Sequence, residues 1–276
     1  MSQNPAEKPK SEKPKRKIRR SVSSLIAVTF LVTGILALIL AVYASSQILA
    51  FIGLGVTFWG ALFLFITPVR YVESSLLTST AASMYSTIDR IISDFKYAGK
   101  GYYVPPYPQE AYLPEHLKGL KDTIVFIAAQ KNDTMPSIEE TAQGKFLLTN
   151  PKGILIVPPG LGLLNQIKKK IPATKIKLNE LCEVLPRIIL EDFNIAKDLT
   201  MHTEADRVKL TIHGSLYKNL YNPKNKLKSI YILGCPLTSA IACTLAITTG
   251  KAVTIQKTII YPGGSKIDTE YQIMQG

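Results

Sequence analysis

Residues 22–44 read VSSLIAVTFLVTGILALILAVYA, and residues 48–69 read ILAFIGLGVTFWGALFLFITPV. No charged side chain occurs in residues 21–69, and only Ser45, Ser46 and Gln47 separate the two runs. An α-helix needs about 20 apolar residues to cross a hydrocarbon core of about 30 Å, and both runs are long enough. The sequence therefore predicts a transmembrane hairpin of two antiparallel helices (22–44 and 48–69) within residues 21–70.

The tail before the hairpin decides its predicted orientation. Residues 1–20 carry eight Lys and Arg residues against Glu7 and Glu12 and cannot bury a core, so we expect a disordered basic tail. By the positive-inside rule, both ends of the hairpin are expected in the cytoplasm of a multi-pass protein of the cell membrane. The cluster at 15–20 is expected to contact the lipid bilayer through anionic lipids. Cleavage of the first run as a signal peptide is the less favoured alternative, because a second apolar run follows at once.

Charge and cysteine content narrow the class of protein. The net charge is +13, but about half of the excess lies in the tail, so no nucleic-acid partner is expected. The three cysteines, Cys182, Cys235 and Cys243, show no C-x-x-C spacing. That pattern argues against a disulfide framework or a zinc site and favours buried free thiols.

Residues 71–118 are predicted to form a linker helix followed by a strap rich in Pro and Tyr. Apolar residues at alternating intervals of four and three mark one side of the helix: Leu77, Ala81, Met84, Ile88, Ile91 and Phe95. This stripe suits packing on the protein's own domain, or a short coiled coil that pairs two copies. After Gly99 and Gly101, residues 102–108 read YYVPPYP, and their prolines favour an extended backbone. We expect this strap to lie over the domain surface or to offer a docking strip.

Residues 119–276 are predicted to form a cytoplasmic α+β domain with an antiparallel sheet and packed helices. Short apolar or alternating segments predict strands at 123–129, 145–149, 153–157, 198–203, 207–214, 252–261 and 267–274. Helical spacing over 178–192, interrupted by Pro186, and an apolar run over 237–249 ended by Gly250 predict two helices. Strands and helices in this mixed order are typical of the α+β class.

The order of elements over residues 178–274 is a β-hairpin, a polar connection, a Cys-Pro turn, an apolar helix and a second hairpin. Within this order, Cys235, Leu245, Gly250, Gly263 and Gly264 occupy the positions that carry the family resemblance described next. This stretch resembles the 4-vinyl reductase-type domain, a family related to subunits of transport-particle (TRAPP) complexes. The resemblance implies a domain that holds a hydrophobic small molecule or another subunit. Many members carry a pair of cysteines in the last hairpin, where this chain has Ile259-Ile260 and Thr269-Glu270-Tyr271, so a thiol-based site is not implied.

The predicted function is a membrane-anchored, non-enzymatic cytoplasmic module that binds an apolar small molecule or a protein partner, in a sensor or assembly role. The residues expected to line its apolar interior are Cys235, Leu237, Ile241, Leu245 and Val253. No catalytic residue and no cofactor are predicted, because the chain has no G-x-S-x-G elbow and no kinase motif set. No metal is predicted either, because the histidines at 116, 202 and 213 lack metal-binding spacing.

Two alternatives stay open. The turn at 158–163, with Gly160 and Gly162, lies between a strand and a helix start, where free backbone amides can bind an anion or a nucleotide. This turn would make the protein a membrane-tethered enzyme or an anion-binding protein. The helix at 77–95 would instead make it a dimerising scaffold, with a second copy as partner.

Overall fold

The computed structural model describes residues 22–65, 74–106, 122–131, 134–137, 140–141, 144–171 and 176–274. Its contacts divide the chain into two compact units, with the boundary between Tyr71 and Val72. The predicted basic tail at 1–20 and the part of the strap beyond Pro106 lie outside the described residues. Each unit is described by itself.

The first unit contains two antiparallel helices, α1 (Val22–Tyr43) and α2 (Gln47–Phe65), joined by a tight turn in which Ser45 has a positive φ. Their contact is built from small residues seven apart. On α1 these are Ala27, Gly34 and Ala41, and on α2 they are Gly53 and Gly60, all of them buried. A period of seven keeps one side of each helix against its partner.

Three glycines of this helical pair bring the two backbones together. A Cβ added to Gly34 would lie 2.6 Å from the backbone N of Thr57, and one on Gly60 would lie 2.7 Å from that of Leu31. One on Gly53 would lie 2.9 Å from the backbone N of Leu38. Real side chains do not approach so closely, so any larger residue would force the helices apart.

The larger side chains of the helical pair point away from this seam. Exposed apolar residues occur on all other sides of both helices: Val28, Phe30, Val32, Ile35, Leu36, Ile39, Leu40, Ile48, Phe51, Ile52, Leu54, Phe58, Trp59 and Leu62. Both helices are therefore apolar all round, with small residues inside and large residues outside.

The described part of the second unit forms an eight-stranded antiparallel sheet in the order β3-β4-β2-β1-β7-β8-β6-β5. Its strands are β1 (Gly101–Val104), β2 (Ile124–Ala128), β3 (Leu147–Thr149), β4 (Lys152–Ile156), β5 (Asp198–Glu204), β6 (Arg207–His213), β7 (Val253–Ile260) and β8 (Lys266–Ile273). Strands β2 to β8 confirm the seven predicted strands to within two residues. The α+β class with an antiparallel sheet and packed helices is also confirmed.

The strap prediction was wrong for residues 102–104. These residues belong to β1, which lies in the middle of the sheet between β2 and β7, and all four of its residues are buried. Tyr103 is opposite Val125 on one side and Val253 on the other. The prolines that suggested an extended strap, Pro105 and Pro106, instead follow the strand where it ends. A four-residue strand is too short for its alternation to be recognised beside prolines.

The helices of the second unit pack on one face of the sheet. They are α3 (Ser74–Phe95), α4 (Leu161–Lys170), α5 (Leu178–Arg187), α6 (Ser229–Leu233) and α7 (Pro236–Thr249), and α5 continues as a π-helical turn over Ile188–Asp192. The main apolar cluster lies between these helices and the sheet. A smaller cluster of Tyr102, Phe126, Ala128, Leu148 and Leu155 lies on the other face of β1 to β4.

Helix α3 packs within its own domain, against α6 and the turn at 218–221. Its buried residues are Thr78, Tyr85, Ile88 and Ile92, whereas Met84 and Phe95 of the predicted stripe are exposed. The buried side of α3 is therefore rotated relative to the predicted stripe. The reason is that Tyr85 and Thr78 count as polar in a sequence pattern but are buried in the fold. Leu77, Ala81 and Ile91 lie half-buried at the margin of the contact.

By length and apolar composition alone, one helix among the described residues could cross a membrane, namely Ser229–Thr249. It comprises α6 and α7, and most of it is buried inside the domain, as expected for a core helix. The apolar stretches Ala27–Tyr43 and Gln47–Phe63 of α1 and α2 are slightly shorter than the length required of such a span.

Candidate binding groove beside the α6–α7 junction

The junction between α6 and α7 interrupts an otherwise continuous apolar helix. Gly234 adopts a φ of 67°, which favours glycine, and Cys235 follows in an extended conformation. Pro236 then occupies the first turn of α7, where its missing N–H costs no helical hydrogen bond. The sequence Gly-Cys-Pro thus ends one helix and starts the next within two residues.

Four buried tyrosines from four different elements converge on this junction: Tyr85 on α3, Tyr103 on β1, Tyr221 in the turn at 218–221 and Tyr271 on β8. The hydroxyl of Tyr85 donates to the carbonyl of Gly234 (2.5 Å), and that of Tyr103 donates to the carbonyl of Leu233. These two bonds satisfy carbonyls that the end of α6 leaves without helical partners.

The other two tyrosines bind the start of α7. The hydroxyl of Tyr271 donates to the carbonyl of Thr238 (2.9 Å), and that of Tyr221 accepts a hydrogen bond from the N–H of Cys235 (3.0 Å). The Thr238 hydroxyl also donates to the Cys235 carbonyl (3.1 Å). The backbone of the junction is therefore held by side chains from a helix, two strands and the turn at 218–221.

Burial determines the protonation of these groups. It raises the pKa of all four tyrosines well above the ordinary value, because a phenolate would lose its hydration there. Burial likewise raises the pKa of the Cys243 and Cys182 thiols. All three cysteines are free and buried, which confirms their prediction as buried thiols. Neutral, hydrogen-bonded phenols of this kind support structure and offer no nucleophile or general base.

A groove of about 460 Å³ opens on the surface beside the junction. We call it the Tyr231 groove; its lining residues are Leu220, Tyr221, Asn222, Pro223, Lys226, Leu227, Lys228 and Tyr231. Leu220, Tyr221 and Leu227 are buried and form an apolar floor. Tyr231 is 48% exposed at the rim, and its ring lies edge-on to that of Tyr221 with a centroid distance of 6.3 Å. Tyr221 therefore belongs both to the groove and to the junction behind it.

The rim of the groove is basic. Lys226 and Lys228 stand on either side of the buried Leu227, and both lysines are exposed. Residues 207–267 contain no Asp or Glu at all. In the part of the chain that the structure describes, neither lysine forms an ion pair.

One carboxylate, that of Asp89 on α3, lies close to the groove. Its two oxygens accept hydrogen bonds from the backbone N–H groups of Lys228 (3.0 Å) and Ser229 (2.6 Å). The Ser229 hydroxyl in turn donates to the carbonyl of Tyr85 (3.2 Å). Asp89 therefore binds the start of α6 to α3, and the two backbone N–H groups partly compensate its negative charge.

The five residues predicted to line a ligand site are all fully buried. Cys235, Leu237, Ile241, Leu245 and Val253 belong to the main apolar cluster, behind the junction, and none of them lines the Tyr231 groove. Apart from Tyr231 on α6, the groove residues come instead from the segment at 217–228, which the sequence suggested only as a polar connection. Leu220, Tyr221 and Leu227 within that segment were the available signal, but their spacing fits neither a helix nor a strand.

The predicted anion-binding turn is arranged differently from an anion site. Gly160 is buried, and its N–H donates to the hydroxyl of Ser239 on α7 (3.0 Å). A Cβ on Gly160 would lie 2.6 Å from the Cα of Ala240, so this glycine allows α4 to approach α7. Gly162 is exposed, and a Cβ added to it would meet no other atom within 4 Å apart from its own neighbours in the chain and helix. The glycine pair therefore serves helix packing at Gly160 and has no evident contact at Gly162.

Among the described residues, no group of three or more His, Cys, Asp or Glu side chains could hold a metal ion. His202 and His213 are opposite Lys209 and Asp198 in the β5–β6 ladder. The two histidines are therefore not opposite each other in the hairpin.

Together, the fold and the groove define an α+β domain with a surface groove, preceded in the chain by an apolar helical pair. Over residues 2–262 the chain matches the family described as "Domain of unknown function (DUF7982)", and it belongs to that family. The matched region includes both the helical pair and most of the sheet domain, so the two parts belong to one family unit.

Comparisons with curated proteins and with solved structures yielded no match. The element order behind the resemblance to 4-vinyl reductase-type domains is present in β5 to β8, but the relationship itself stays a prediction.

Proposed function

We propose that this protein is a membrane-anchored, non-enzymatic module whose cytoplasmic domain binds a small apolar or amphipathic molecule in the Tyr231 groove. The observation that carries the proposal is the helical pair, with Ala27, Gly34, Gly53 and Gly60 inside and large apolar side chains outside. In water this arrangement would expose most of the apolar surface of both helices. In lipid it is favourable, because small residues allow close packing while Leu, Ile, Val and Phe contact the acyl chains.

The proposed topology has both ends of the helical pair in the cytoplasm. The turn between α1 and α2 is too short for the helices to be other than antiparallel neighbours. The eight basic residues at 1–20 favour the cytoplasmic side for the first helix, and the second unit then follows on that same side.

The ligand site of this proposal is the Tyr231 groove. Its volume of about 460 Å³ lies within the usual range for small-molecule sites, roughly 300–1,000 Å³. A buried apolar floor with a few polar groups at the rim is typical of such sites. The non-enzymatic role is supported by the junction, where the hydroxyls of the four buried tyrosines all bind backbone groups and the three thiols are buried.

Cysteine labelling in intact cells tests the anchor. The natural thiols are all buried, so wild-type protein provides a low background. Ser45→Cys, in the turn, is expected to react with a membrane-impermeant maleimide from outside the cell. Ser265→Cys, exposed in the sheet domain, is expected to react only after the cells are opened.

Labelling of Ser265→Cys in intact cells would overturn the topology. Failure of both variants to react from outside, with reaction of both after opening, would show that the pair does not cross the membrane. Release of wild-type protein by an alkaline carbonate wash would remove the anchor altogether.

A further inference from the structure

We propose that the Tyr231 groove is selective for anionic amphiphiles, with Lys226 and Lys228 binding a phosphate or carboxylate headgroup and the apolar floor holding the chain. This inference rests on the proposed function, because it names the ligand class of the same groove. It is carried by the position of two lysines, which form no ion pair among the described residues, on the rim of an apolar cavity. Neither feature alone would specify an amphiphile.

The two parts of the groove match the two parts of such a ligand. Leu220, Leu227 and the ring of Tyr221 form the floor, where an acyl or alkyl chain would lose contact with water. Lys226 and Lys228 flank Leu227 in sequence, so their charges emerge at the edge of the same apolar surface. Long lysine side chains keep their ammonium groups in water while their stems cover apolar surface.

The electrostatic surroundings favour a negative headgroup. No acidic residue occurs in residues 207–267, which supply every residue of the groove. The neighbouring Asp89 carboxylate accepts two backbone N–H groups and pairs with neither lysine side chain. A neutral headgroup would leave both ammonium groups without a charged partner, whereas an anionic headgroup would provide one.

Tyr231 offers a direct optical readout of the groove. The chain has a single tryptophan, Trp59, on α2, so a Trp59→Phe background leaves no tryptophan in the sheet domain or elsewhere. Tyr231→Trp then places the only indole at the rim, where the exposed ring of Tyr231 leaves room. Tyr261→Trp in the same background provides a reporter that is outside the groove and comparably exposed.

The experiment uses the full chain in phosphatidylcholine nanodiscs and compares octyl phosphate with octyl glucoside, which share a chain and differ in charge. Octyl phosphate is expected to change the emission of the Tyr231→Trp reporter at concentrations about tenfold lower than octyl glucoside, and to leave the Tyr261→Trp reporter unchanged. Substitution of both lysines (Lys226→Gln with Lys228→Gln) should remove that tenfold difference, because the two exposed charge contacts with the headgroup would be lost. The matched control, Lys251→Gln with Lys257→Gln, should retain it.

The outcomes separate this inference from the proposed function. Equal binding of both amphiphiles, unaffected by the lysine substitutions, would overturn anionic selectivity and leave the groove as an apolar site. No response of the Tyr231→Trp reporter to either compound would overturn both the anionic selectivity and the groove as the ligand site. Nanodiscs that contain phosphatidylglycerol distinguish the source of the ligand: competition with octyl phosphate indicates a bilayer lipid, and its absence indicates a soluble amphiphile.

Discussion

The α1–α2 pair and the α6–α7 pair are built from the same kinds of residue but place them in opposite ways. In α1–α2 the small residues face the partner helix and the large ones face outward. In α7 every residue from Leu237 to Cys243 is buried, and sheet, helices and turns surround it. Of the two, only Ser229–Thr249 meets the length and composition of a membrane span among the described residues, yet it is a core helix.

Both regions use glycine for the same purpose. Gly34, Gly53 and Gly60 let α1 and α2 approach, and Gly160 lets α4 approach α7 at Ala240. Close packing therefore does not distinguish the two regions. What distinguishes them is the environment of the large side chains, which are exposed on α1 and α2 and buried inside the domain on α7.

The largest expected effect comes from placing a charge in each region. Ile241→Asp would bury a carboxylate in the middle of α7, at a penalty of several kcal/mol, which is comparable to the whole stability of a typical domain. Ile39→Asp, on the outward face of α1, should leave the sheet domain folded and reduce retention in the membrane fraction. Limited proteolysis and carbonate extraction measure the two effects. A folded Ile241→Asp domain, or an unfolded Ile39→Asp one, would contradict the assignment of the two regions.

The next effect concerns the phenols beside α7. Burial raises the pKa of Tyr85, Tyr103, Tyr221 and Tyr271 in the folded state above the unfolded value of about 10. Their contribution to stability is therefore complete below about pH 10 and is lost as the pH rises toward the folded-state pKa. We expect the urea midpoint of the sheet domain to fall steeply above pH 10, and absorbance at 295 nm to show these phenols ionising only on unfolding.

Lysines also titrate in this range, so a variant is needed as control. Tyr271→Phe removes one of the four buried phenols and should make the fall above pH 10 less steep than in wild-type protein. An unchanged slope would mean that the alkaline loss of stability arises elsewhere.

The smallest effect distinguishes the two glycines of the 158–163 turn. Gly160→Ala should destabilise the domain by about 1–3 kcal/mol, because the new Cβ would meet the backbone of α7. Gly162→Ala, in α4 where the new Cβ would enter open space, should stabilise it by about 0.5–1 kcal/mol through helix propensity. Urea denaturation of both variants measures the difference. Loss of stability at position 162, with none at 160, would contradict the packing role of Gly160.

Much of the domain could be predicted because its signals are local. Alternation marks β5, β6 and β8, and Gly250 ends α7 with a positive φ, as a helix-capping glycine does. Strand β1 was missed because its neighbours in the sheet, β2 and β7, are distant in sequence and decide its burial. The buried side of α3 was misplaced for the same reason, since the carbonyl that Tyr85 binds belongs to Gly234.

The candidate site shows the same division. The Gly-Cys-Pro sequence indicated a turn, and the apolar residues after it indicated a buried helix. The Tyr231 groove depends on how the segment at 217–228 folds back over the junction, which no periodicity describes. Its lysines could be read from the sequence, but their position over an apolar floor could not.

The sequence by itself determined the two apolar runs, the basic tail, most of the strands and the helix ended by Gly250, because hydrophobic period, charge and glycine conformation act between near neighbours. Only the tertiary structure decided that β1 is a central strand, that α7 is a core helix and that a lysine-rimmed groove lies beside Tyr231. Those features depend on burial and hydrogen bonding between elements that are distant in sequence. The hydrogen bond between Tyr85 and Gly234, for example, joins residues 149 positions apart. A local sequence pattern does not indicate which distant residues will be in contact.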